Sequence, residues 1–151
     1  MEWQTALKLV EQRLAVLPND RLLLANRMVL LAHLTDREKA MQAFTVFIQV
    51  IGGEPTKALE NRAWVGRPLT QATILLGRHA DAIALIRSVL KQQVHVMMDY
   101  SAATLRLDPM FDPLRAEPEF QRLLAETQGS DQALSALPPP PAVVPESATV
   151  R

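Results

Sequence analysis

The 151 residues carry sixteen basic and sixteen acidic side chains, so the chain has no net basic field of the kind that nucleic-acid or anionic-membrane binding draws on. Cysteine is absent, which excludes disulfides, thiolate nucleophiles and cysteine-type zinc sites together. Hydrophobic residues make up 48% and aromatic ones 5%, leaving Leu, Ile, Val and Ala to fill a core and favouring helices over sheets.

The opening "MEWQTALKLVEQR" is charged from its second position and lacks the apolar block behind a basic region that marks a secretory leader. The longest apolar run, "MVLLAHL", is far short of the roughly 20 residues a spanning helix needs. The expectation is a cytoplasmic protein without membrane or nucleic-acid partners.

Along the chain, Trp3, Leu7, Val10, Leu14 and Leu17 recur at helical spacing and predict a helix that Pro18-Asn19-Asp20 stops. "RLLLANRMVLLAHL" predicts a second helix with Leu24, Met28 and Leu31 on one stripe and Leu23, Leu30 and Leu34 beside it, wide enough to pack on more than one side. Thr35 stands three residues before Glu38 and predicts a capping box for a third helix, with Ala40, Phe44, Phe47 and Ile51 buried and Gly52-Gly53 as its stop. Pro55 suits the first turn of "TKALENRAWV", which Gly66 and Pro68 break or kink before "LTQATILL". Gly77 closes that segment, and "HADAIALIRSVLKQQ" resumes with Ala82, Ile83, Ile86 and Leu90 inward.

A period runs through these helices. Ala6 and Ala40, Val10 and Phe44, and Leu14 and Ile48 are each 34 residues apart, while Ala40 and Ala82 are 42 apart. A period near 34 with two helices per unit is the mark of a helical solenoid.

On these residues the chain resembles the tetratricopeptide repeat (TPR) family. Ala6, Val10 and Pro18 match its small–large–proline pattern in a first unit, Ala40 and Phe44 in a second, and Ala82, Ile86 and Val89 in a third, with "LLGRHADAIALI" similar to an inter-helix turn. The resemblance covers residues 2–92 and departs from the family at Arg27, Met28 and Pro68 and in the missing second and third closing prolines. It implies an all-α solenoid of about two and a half degenerate repeats. Residues 105–124 resemble the closing segment of repeat regions in bacterial signalling proteins. The domain organisation expected is a repeat domain over 1–125, with a cap over 105–125, and a disordered Pro-rich tail over 126–151. In the cap, Asp108 and Asp112 each precede a proline and predict capped turns. Glu117-Pro118 predicts a last helix through Leu124, and Phe111, Leu114, Phe120 and Leu123 should fold onto the final repeat.

No residue set points to catalysis, a cofactor or a metal. His33, His79 and His95 lack ligand spacing. Glu117 and Glu119 belong to a cap, and Ser88 and Ser101 have no neighbouring base pattern. His33 is expected on an inner helix surface, His79 in a turn, and Met97-Met98 in the core. Because the first helix of each TPR pair lines the concave face, the resemblance implies a partner-binding surface of Leu22, Ala25, Asn26, Val29 and His33. "PPPPAVVP" has the proline spacing of a polyproline ligand but no basic residue close by.

The expected function is a non-catalytic module mediating protein–protein interaction, as adaptor or scaffold. The alternatives are a C-terminal regulatory fragment of a bacterial signalling enzyme or transcriptional regulator, and a small-molecule-binding sensor.

Overall fold

A computed structural model describes residues 2–34, 36–54, 66–91 and 100–135. Within them every regular element is helical. The elements are α1 (Glu2–Leu14), α2 (Arg21–His33), α3 (Arg37–Ile51), α4 (Gly66–Leu75), α5 (His79–Lys91), α6 (Ala102–Leu107), a 3-10 helix (Pro109–Leu114) and α7 (Pro118–Ser135). Thr35, the helix expected from "TKALENRAWV", His95, Met97-Met98 and the proline run after residue 135 lie outside the described residues.

Local chemistry sets the boundaries. The Asp20 carboxylate accepts from the Leu23 backbone N–H at 2.9 Å and starts α2. α3 is capped by Asp36, which accepts from Lys39 N–H at 3.2 Å, one residue later than the capping box at Thr35 predicted. An aspartate is at least as good a cap as a threonine, and here its carboxylate also pairs with the Lys39 ammonium at 2.7 Å. Pro68 is the third described residue of α4, and the break expected between it and "TKALENRAWV" falls on residues 55–65, outside the described residues.

α3 and α4 end alike. Gly52 and Gly77 adopt left-handed φ values of +116° and +72°. In each case the following residue bonds back across the turn, Gly53 N–H to Ile48 C=O at 2.8 Å and Arg78 N–H to Thr73 C=O at 2.9 Å. This double closure satisfies carbonyls that the helix end leaves open, and a side chain at either glycine would strain it.

α2 is the hub. It packs against α1, α3 and α4, while α4 pairs with α5. Leu24, Met28 and Leu31 are buried on α2, and Ala40, Phe44, Phe47 and Ile51 are buried on α3, as their spacing predicts. On α5, Ala82, Ile83 and Ile86 are buried and Leu90 is half-buried. α1 contributes no buried residue: Leu7 and Leu14 lie half-buried against the core, whereas Trp3 and Leu17 are exposed. The hydrophobic face read from α1 is therefore a surface contact and not a core layer.

The C-terminal elements close over α4 and α5. Phe111, Leu114 and Phe120 are fully buried, and Leu123 nearly so. The Phe111 ring lies between Tyr100 and Phe120, with centroids 5.9 and 6.1 Å away. Asp108 caps the 3-10 helix, accepting from Met110 N–H at 2.9 Å. Asp112 caps no turn of its own. It lies inside the same 3-10 helix, because that helix runs through Pro113, and its carboxylate instead pairs with Arg115 at 2.7 Å. Pro118 opens α7 as expected, but the backbone stays helical to Ser135, past the expected stop at Leu124 and past the 125/126 boundary drawn from composition. Glu126, Gln128, Gln132 and Ala133 have good helix propensity, and the prolines that made the tail read as disordered all follow residue 135.

Candidate functional site

The five residues expected to face a partner do not form one surface. Helical spacing aligns Leu22, Asn26, Val29 and His33 on one ridge of α2. Leu22 is 60% exposed and Asn26 is exposed, whereas Val29 is half-buried against the core. Ala25 is 0% exposed and cannot meet a partner, because α2 is packed from several sides and position 25 turns inward.

His33 closes one end of the ridge. The Trp3 ring stacks on its imidazole, with centroids 4.4 Å apart and planes within 6° of parallel. The Gln71 side-chain amide of α4 lies 3.0 Å from His33 Nε2. With the amide nitrogen donating, the ring proton resides on Nδ1. His33 thus joins three helices. Its inner position follows from the helical spacing, but neither its pairing with Trp3, thirty positions away, nor the part played by Gln71 does.

Beside the ridge, Glu11 Oε1 of α1 accepts from Arg27 Nε at 3.4 Å. Arg27, one of the positions where the sequence departs from the repeat family, is half-buried and ion-paired. The two line an open cleft of about 400 Å³ with Leu14, Ala15, Pro18 and Leu24. Trp3 meets the end of α2 while Leu14 and Leu24 share this cleft near its start, so α1 runs antiparallel to α2. A smaller cleft of about 150 Å³ lies between α5 and α7, lined by Arg87, Leu90, Lys91, Leu123, Glu126 and Thr127.

A second polar cluster ties the cap to α4. The Met110 backbone N–H, followed by the Arg67 guanidinium at 2.7 Å, holds the Asp108 carboxyl below its usual range. Buried Tyr100 donates to the Thr70 hydroxyl at 3.1 Å, and burial pushes the phenol up to about 12. His79, expected in a turn, is the first residue of α5, and its Nδ1 lies 2.9 Å from Glu117 Oε1 at the head of α7. Ser101 caps α6 through a bond from Thr104 N–H. These groups are engaged in holding helices together, and among the described residues no three His, Cys, Asp or Glu side chains converge as metal ligands. No described helix is long and apolar enough to cross a membrane.

Comparison with protein-family models, with curated proteins and with solved structures found no match.

Proposed function

We propose that the chain is a non-catalytic, TPR-like helical-repeat module that mediates protein–protein interaction, with the Leu22–Asn26–Val29 ridge of α2 as its contact surface. α2–α3 and α4–α5 serve as successive units on this reading, α1 as a half unit and the elements from α6 onward as the cap. Three correspondences support the repeat. Ala40 and Ala82, Phe44 and Ile86, and Phe47 and Val89 are buried at matching positions of α3 and α5.

The observation that carries the binding reading is Leu22 at 60% exposure beside exposed Asn26, on a helix whose other sides are packed by α1, α3 and α4. Such a ridge offers apolar area worth about 25 cal/mol per Å² when covered. The Asn26 amide adds a donor and an acceptor for a partner's backbone. His33, shielded by Trp3 and Gln71, bounds the ridge without adding to the contact.

Affinity capture with the wild-type chain and with a Leu22→Glu/Asn26→Lys variant tests this. Both positions are exposed, so the variant should keep its helical circular dichroism. The expected result is loss of the captured proteins from the variant eluate. Recovery of the same proteins by both chains would place the binding surface elsewhere.

A further inference from the structure

Exposed apolar side chains are unevenly spread. Of the eight large ones among the described residues, five (Trp3, Leu9, Val16, Leu17 and Leu22) fall between positions 3 and 22. The same stretch adds nothing to the buried core. α1 contributes no buried side chain; it meets α2 through the Trp3–His33 stack, the Glu11–Arg27 ion pair and a cleft that Leu14 and Leu24 both line, and Leu7 and Leu14 lie half-buried against the core. The connection from Ala15 to Asn19 is exposed throughout and contains Pro18, whose ring disfavours a helical conformation at Leu17 and so opposes any continuation of α1 into α2.

We infer that α1 is an exchangeable arm, and that the surface of α2 it covers takes up the α1 of a second copy of this chain in a domain-swapped dimer. The occupant is specified by complementarity already visible within one copy. His33 takes a flat aromatic ring, Arg27 an acid eight residues further along the incoming helix, and Leu24 an apolar side chain three residues beyond that. A second copy supplies the same three groups at the same spacing, so the stack and the ion pair released within one copy re-form in trans, with Leu14 again lining the cleft beside Leu24's helix. Swapping an identical element in this way is a low-cost route to dimers. It would also lay the two connecting segments side by side, covering Val16 and Leu17, whose exposure in one copy has no internal counterpart. This arm exchange does not depend on the α2 ridge binding another protein, and its test does not touch Leu22 or Asn26.

The absence of cysteine gives a clean test. One preparation carries Glu11→Cys and a second, isotopically heavy, carries Arg27→Cys; the pair joins an exposed glutamate to a half-buried arginine at 3.4 Å, and its removal should be tolerated by the fold. The two are unfolded, mixed, refolded at high concentration and oxidised, and disulfide-linked species are weighed by mass spectrometry. Arm exchange predicts a light–heavy dimer several-fold above the dimer from either preparation alone. In parallel, light scattering on the unmodified chain should show a species at twice 16.8 kDa that grows with concentration during refolding. Two results would each overturn the inference: a single species at 16.8 kDa at every concentration, or a doubled mass with no excess of the light–heavy disulfide, which would mean that whole copies associate without exchanging α1.

Discussion

The cap and α1 both flank the central helices, and they are held by different means. The cap inserts Phe111, Leu114 and Phe120 to complete burial, sets Phe111 stacked on Phe120 and tilted against Tyr100, and fixes its edge with Asp108, which caps one helix while reaching Arg67 on another. α1 lays one half-exposed ring on a histidine and forms one exposed ion pair, and none of its side chains is buried. Buried apolar area and full van der Waals contact set how strongly an element is held, whereas exposed ion pairs add little. The cap is accordingly part of the cooperative core, and the thirteen-residue α1 is the more weakly held.

Phe111→Ala is the severest test of that contrast. Removing a ring buried between Tyr100 and Phe120 should cost about 3 to 5 kcal/mol in urea-denaturation free energy. A cost no larger than that of an exposed substitution would mean the cap is not integral to folding. Asp108→Ala should cost about 0.5 to 2 kcal/mol, the usual range for removal of a helix cap, and its effect should depend on pH. The native carboxyl is held below its ordinary value of 3.8, first by the Met110 N–H and then by Arg67. Its contribution is therefore complete above the unfolded-state pKa and disappears as pH falls through the lower folded value. Stability curves of wild type and variant should run parallel near neutrality and converge in acid. Trp3→Ala should have the smallest effect, about 1 kcal/mol or less, since the ring is half exposed. Hydrogen exchange should quicken across residues 2–14 and stay unchanged across the cap; an equal response in both regions would erase the distinction between them.

Most helices and most core residues were legible in the sequence, because a buried stripe such as Ala40, Phe44, Phe47 and Ile51 has to recur at the helical period whatever it packs against. Caps were legible to within a residue: Thr35 and Asp36 are adjacent and both can accept from a free backbone N–H, and the Asp36 carboxylate also pairs with Lys39. The end of α7 was misplaced because a composition suited to disorder does not preclude continuing a helix already nucleated at Pro118. The candidate surface was half legible. Its ridge follows from periodicity, but the inward turn of Ala25 and the cover over His33 depend on how α1 and α4 approach α2, and no local spacing encodes that approach.

α7 carries one more consequence. Thr127 is still part of the cleft with α5, and the helix continues from there to Ser135. At 1.5 Å per residue those eight steps span about 12 Å. A flexible tether would allow a range of distances, but a helix acts as a ruler, so a peptide, dye or second domain joined at Ser135 is held at a set stand-off from the α5–α7 cleft. A donor dye at that position, with its acceptor on α5, would report α7 bending or unwinding as a change in a single length.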